Sequence, residues 1–102
     1  MFGLLDRDIS EMTKAFASRA SIEKVILYGS RAKGNYKNGS DVDLTILGEN
    51  LSEDIISDLN AFLNEETNMP YYFDLVNYNT LTNKALINHI DRVGKVIYSR
   101  EK

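Results

Sequence analysis

Apolar side chains fall along this chain in two rhythms, one helical and one extended. Ile9, Met12, Phe16 and Ala20 recur at three- and four-residue intervals, the stripe of an amphipathic helix. The spacing predicts a helix over residues 6–20, with Asp8 and Glu11 as a capping box at its start. Ile22 to Tyr28 (Ile-Glu-Lys-Val-Ile-Leu-Tyr) is rich in β-formers and stops at Gly29, so it reads as a strand. Residues 35–40 are turn chemistry, and Asp41 to Leu47 alternates polar and apolar side chains at its start, a second strand. Ser52 can cap the next helix, with Glu53 and Asp54 favourable beside its N-terminal dipole. Ile55, Leu59, Phe62 and Leu63 form its apolar stripe, and Met69-Pro70 ends it. Tyr71 to Val76 is a third strand. Thr80 to Val93 is a last helix stopped by Gly94 as a C-terminal cap, and Lys95 to Tyr98 is a short edge strand. The order α-β-β-α-β-α-β fits an α/β (α+β) domain: a mixed sheet of about four strands with helices packed on it.

Composition narrows the classes. At 102 residues the chain is expected to be a single domain spanning 1–102. It contains no cysteine, which removes disulfides, zinc–thiolate sites and cysteine nucleophiles. No apolar run is long enough to span a membrane, and the first eight residues do not have the pattern of a signal peptide. A cytoplasmic protein without membrane attachment is the expectation. The net charge of −3 argues against stable nucleic-acid binding, which favours a basic surface. The charge is nonetheless uneven. Lys24, Arg31, Lys33 and Lys37 fall in one stretch, while Glu49, Glu53, Asp54, Asp58, Glu65 and Glu66 fall in the next. The acidic run reads as a solvated face; the basic run encloses the residues that carry chemistry.

Those residues are Gly29-Ser30-Arg31-Ala32-Lys33-Gly34 and, after a short loop, Ser40-Asp41-Val42-Asp43-Leu44. Residues two apart on a strand share a face, so Asp41 and Asp43 project together while Val42 and Leu44 turn to the core. Two carboxylates on one patch repel unless a cation lies between them. With no His or Cys nearby, an oxygen-only set favours Mg²⁺ or a similar hard ion. Two solvated acids on an exposed face are the plain alternative, although Asp is disfavoured in strands. Gly29-Ser30 leaves a strand into a turn whose backbone N–H groups and hydroxyl could meet a phosphate, with Arg31 and Lys33 adding positive charge. Two other motifs are excluded. Gly29 and Gly34 have P-loop spacing but lack the Lys-Ser/Thr that must follow. Asp41-Val42-Asp43 opens like a calcium loop, but the segment that follows is a strand without the required glycine.

Together, Gly29-Ser30, the spacer and Ser40-Asp41-Val42-Asp43-Leu44 resemble the signature of the polymerase-beta-type nucleotidyltransferase superfamily. The form Gly-Ser-x-Ala-x-Gly followed by Ser-Asp-x-Asp-Leu is similar to its minimal nucleotidyltransferase (MNT) family, with Lys33 where arginine is frequent. Phe73-Asp74-Leu75-Val76 and Gly94-Lys95-Val96-Ile97-Tyr98 also look like that family, so the resemblance runs nearly end to end. It implies a polymerase-beta-like nucleotidyltransferase fold and a two-metal-ion displacement at the α-phosphorus of an NTP, ATP above all. Asp41, Asp43 and Asp74 would be the catalytic and metal-binding acids, with Mg²⁺ as the ion and Mn²⁺ as a substitute. Gly29 and Ser30 would hold the outer phosphates, and Arg31, Lys33 and Ser40 are further phosphate-binding candidates.

The resemblance also implies a partner. Minimal members are similar to antitoxins paired with a HEPN-domain RNase toxin, and the chemistry proposed for them is AMP transfer onto a tyrosine of the toxin. The alternative is a subunit that acts mainly by binding a HEPN partner, with catalysis secondary or absent; three unneutralised acids are hard to explain in a pure binding module. Homo- and hetero-oligomers both remain open. His89, the single histidine, reads as a helix-packing residue. Tyr36 could stack on a base, and Asn77 and Tyr78 could line the pocket, but loop chemistry accounts for them equally well.

Overall fold

The computed structural model describes residues 1–37, 39 and 41–100. Four strands form one mixed sheet: β1 (Lys24–Tyr28), β2 (Val42–Leu47), β3 (Phe73–Asn77) and β4 (Lys95–Ser99), in the order β3-β2-β1-β4. β1 runs antiparallel to β2 and β4, and β2 runs parallel to β3. A parallel pair cannot be joined by a tight hairpin, and here helix α3 (Glu53–Ala61) makes the crossover. The other helices are α1 (Asp6–Ala17), the five-residue α2 (Gly29–Lys33) and α4 (Lys84–Val93). The expected mixed sheet with helices packed on it is the observed architecture.

Alternation sorts each strand onto two faces. Val25 and Leu27, Val42, Leu44 and Ile46, and Phe73 and Leu75 pair across the sheet on one face, where they are buried with Met12 and Phe16 of α1 and Ile56 and Leu59 of α3. Burying each such side chain contributes about 1.5–3 kcal/mol, so this layer fixes the register. α4 meets the opposite face through its end. A Cβ on Gly94 would collide with the Ile26 side chain and the Ile90 carbonyl, so glycine is needed there for close packing. Gly94 is the C-cap of α4, as expected, with its N–H donating to the Ile90 carbonyl and an ordinary φ of −61°. Among the described residues, no helix is long and apolar enough to cross a membrane.

Several local expectations change. α1 begins at Asp6 with Leu5 at the N-cap and no side-chain cap, so Asp8 and Glu11 do not form a capping box. Asp8 is buried and accepts a hydrogen bond from the Tyr71 hydroxyl at 2.9 Å. The helix stops at Ala17 rather than Ala20, where the Ser18 hydroxyl and the Arg19 guanidinium both bond the Ala15 carbonyl. α3 is capped by Ser52 as expected, its Oγ accepting from the Ile55 N–H at 3.3 Å. It then widens into a π-turn, Phe62–Glu66, and ends before Met69-Pro70. That turn brings the Asn64 amide to Phe73, whose N–H it accepts at 2.7 Å and whose carbonyl it donates to at 2.9 Å. One side chain therefore pairs with both backbone groups of Phe73, at the start of the outer edge of β3, as a further strand would. α4 starts at Lys84, later than expected, because a 3₁₀ turn takes Tyr78–Thr80 and Asn83 caps the helix by accepting from the Leu86 N–H.

Candidate active site

On the sheet face opposite the core, three polar residues stand side by side. Tyr28 of β1 is the register partner of Asp43 on β2, and Asp43 is the register partner of Asp74 on β3. Neighbouring strands lie about 4.8 Å apart, so the two carboxylates come from directly adjacent positions on one face. Asp41, just ahead of β2, is exposed, as is Asp74; Asp43, between the other strands, is partly buried. Asp74 thus lies on the strand beside that of Asp43 and on the same face.

The turn after β1 closes over this row. Gly29 has φ +78°, which costs an L-residue with a Cβ about 1–2 kcal/mol. The space a Cβ would take is already filled by the Asp43 carboxylate. Gly29 therefore lets the turn and the acid approach each other. Its N–H is also committed, donating to His89 Nε2 at 3.1 Å, so it is not one of the free donors expected to meet a phosphate. Ser30 is half-exposed at the start of α2, and its carbonyl accepts from the N–H groups of Gly34 and Asn35.

Electrostatics mark the row as a charged cluster. The Asp43 carboxyl is pushed up to about 6, first by burial and then by Asp74 and Asp41. The Tyr28 phenol is pushed up to about 12 by burial and then by Asp43 and Asp74, so it stays neutral. Like charges that raise one another's proton affinity are relieved by a cation. Among the described residues, no three His, Cys, Asp or Glu side chains close tightly enough to enclose an ion by themselves, so three acids already converged on one ion are not seen. Mg²⁺ commonly binds one or two carboxylates together with substrate phosphates and water. The oxygen-only pair Asp43 and Asp74, with Asp41 at the rim, fits that mode.

The other candidates are placed apart from the row. Arg31 is buried; its Nη1 donates to the Phe2 carbonyl at 2.9 Å, and its guanidinium lies over the rings of Tyr36 and Tyr71. These contacts tie α2 to the N-terminal segment and leave Arg31 no exposed face for a phosphate. The Tyr36 ring takes part in the same contact. Lys33 is exposed at the end of α2. Ser40 lies outside the described residues. Asn77 is buried, accepts from the Asn79 N–H and donates to Glu53; it is on the core-facing set of β3, not beside Asp74. Tyr78 bonds Asp91. A groove of about 590 Å³ lined by Asn60, Asn64 and Tyr72, among others, includes none of the three acids. Sequence reasoning missed Tyr28 as a member of the row and His89 as a partner of the turn. The strand position of Tyr28 was visible, but its neighbour across the sheet was not.

A family model described as polymerase beta, nucleotidyltransferase, matches residues 10–102. The chain belongs to the polymerase beta nucleotidyltransferase family. A Methanocaldococcus jannaschii protein named, provisionally, as a protein adenylyltransferase is 41% identical to this nucleotidyltransferase over 46 residues, covering 43% of this chain and 46% of the relative. The match thus spans less than half of that relative's length. Among solved structures, a toxin–antitoxin crystal structure with AMP-PNP superposes with a TM-score of 0.71 at 19% identity, over 96% of this chain and 76% of the other. A tri-AMPylated Shewanella oneidensis HEPN toxin in complex with an MNT antitoxin gives a TM-score of 0.69 at 17% identity, over 92% and 71%. At these identities the likeness establishes a shared fold.

Proposed function

We propose that this nucleotidyltransferase transfers AMP from ATP to a hydroxyl of a protein supplied in trans, a tyrosine of a HEPN-type RNase toxin. The observation that carries the reading is the side-by-side placement of Asp43 and Asp74 under the Gly29-Ser30 turn. The family membership and the fold shared with toxin-bound MNT antitoxins support the choice of substrate and partner.

The acids divide by environment. Asp43 is set against the Gly29 turn and Asp41 lies at the solvent edge; in this reading the pair faces the triphosphate. Asp74 is exposed on the adjacent strand, and in this reading the acceptor approaches from its side. Mg²⁺, or Mn²⁺ in its place, held by Asp41, Asp43 and Asp74 as a pair of ions would neutralise the phosphates and lower the barrier to in-line displacement. Ser30, with its hydroxyl at the start of α2, is the phosphate contact of the turn; Lys33 and Ser40 remain candidates for the outer phosphates. The acceptor hydroxyl gives its proton to the Asp74 carboxylate, its oxygen bonds to the α-phosphorus, and the bond to pyrophosphate breaks. Rate enhancement comes chiefly from positioning and charge compensation.

The test is incubation of the purified chain with ATP, Mg²⁺ and a HEPN-type protein encoded beside it, followed by intact-mass spectrometry of that protein. A gain of AMP units with the wild-type chain, and none with Asp43→Asn, is expected. A stable complex with no mass change would instead favour the partner-binding alternative.

A further inference from the structure

His89 lies on α4, sixty residues along the chain from the turn, and Gly29 N–H donates to its Nε2 at 3.1 Å. The bond requires an imidazole with no proton on Nε2. The ring is held edge-on to Tyr28, centroids 6.2 Å apart at 80°, so it touches two consecutive residues of the strand-to-turn junction. α4 is itself anchored on the same sheet face by the Gly94–Ile26 approach and by buried Ile90. Gly29, in turn, is packed against the Asp43 carboxylate with no room for a Cβ. A continuous chain of contact therefore runs from α4 through His89 and Gly29 to Asp43.

We propose that His89 is a positioning residue of the nucleotide site: by accepting the Gly29 N–H it fixes the turn against Asp43 and so sets where Ser30 meets the triphosphate. The inference rests on the nucleotidyl-transfer reading. It adds that the site is completed from α4, a segment outside the motif residues, and that the Gly29 N–H serves to hold the turn and not to grip phosphate. The N–H is part-buried, and a partly buried donor without an acceptor is costly. Loss of the imidazole would therefore let the turn shift to find another partner, away from its place over Asp43.

His89→Phe keeps an aromatic ring beside Tyr28 and removes the acceptor. His89→Gln restores an acceptor at the reach of Nε2. Two quantities are measured on the full chain: hydrogen exchange of the Gly29 amide without nucleotide, and the Kd for ATP with Mg²⁺. With His89→Phe the Gly29 amide should exchange about tenfold faster and ATP should bind about tenfold more weakly, the loss of one hydrogen bond. His89→Gln should recover most of both. Wild-type exchange and affinity in a folded His89→Phe protein would overturn the proposal, as would a Gln variant as impaired as the Phe variant. If His89→Phe does not fold, the Gln variant decides alone, retained Gly29 protection and affinity supporting the role and their loss refuting it. Failure of the wild-type chain to bind ATP would instead sink the nucleotidyl-transfer reading, and the Gly29 exchange would still report on the bond.

Discussion

Asp43 on β2 and Asp74 on β3 are register partners in a parallel strand pair of the sheet. The two acids, 31 positions apart in the sequence, consequently point from adjacent strands to the same face. Apolar neighbours on both strands, Val42 and Leu44 on one and Phe73 and Leu75 on the other, are buried on the opposite side. A one-residue slip of either strand would reverse which set faces the core, so the hydrophobic layer holds the acids together against their repulsion.

That repulsion gives stability a pH dependence. The Asp43 carboxyl lies at about 6 in the fold against an ordinary 3.8. Below the ordinary value both folded and unfolded chains keep the proton and nothing is lost. Between the two values the unfolded chain ionises first, so stability falls as pH rises, and the full cost persists above about 6. Asp43→Asn removes this cost. It should be more stable than wild type at neutral pH by about 1 kcal/mol after allowance for solvent screening, with the gap closing in acid and transfer activity lost. Urea denaturation of both proteins across this range checks it. A variant less stable at neutral pH would mean that Asp43 makes a favourable contact in the fold.

Asp74→Asn should shift Asp43 without returning it to normal. Burial is the first cause of the raised Asp43 carboxyl and Asp74 the second, so the midpoint should drop below about 6 yet stay above 3.8. A carboxyl carbon titration followed by NMR reads this directly. An unmoved midpoint would separate the two side chains in solution. The variant should also lose transfer activity.

Substitution of Gly29 should weaken both the fold and the site. The turn sequence suggests that a larger residue would block the triphosphate and leave the fold intact. The structure changes that expectation, because the positive φ and the Asp43 carboxylate both oppose a Cβ. Gly29→Ala should cost at least about 1–2 kcal/mol from the backbone alone, with weaker ATP binding. Thermal melts and nucleotide titration of the same protein measure the two effects, and an unchanged melting temperature would show that the turn can move to admit a Cβ.

Arg31→Leu should behave as a core substitution. Its bond to the Phe2 carbonyl and its contacts with Tyr36 and Tyr71 make a loss of about 2–4 kcal/mol the expected result. Unchanged stability with ATP affinity abolished would return Arg31 to the phosphates.

The motif residues were legible because their chemistry is local. Gly29 ends a β-rich run, and Asp41 and Asp43 alternate with apolar residues, so strand, turn and acidic face follow from neighbours a few positions away. Asp74 could be nominated by its flanking Phe73 and Leu75 together with the family resemblance. The burial of Arg31 was not legible, because a basic residue in a phosphate-like turn has the same sequence pattern whether its side chain faces solvent or the core. The buried Asp8 was misread: Asp-x-x-Glu before an apolar stripe suggests a cap, while the Tyr71 hydroxyl that claims it lies 63 residues away.

By itself, then, the sequence determined the rhythm of strands and helices, the acidic face and the turn beside it, since backbone preference and side-chain alternation act over a few residues. The tertiary structure decided the sheet order that sets Asp74 next to Asp43, the enclosure of Arg31, and the arrival of His89 at Gly29. Each of these depends on which apolar faces bury one another across the whole chain. That burial is non-directional and long-range, and it brings polar groups together that share no local pattern.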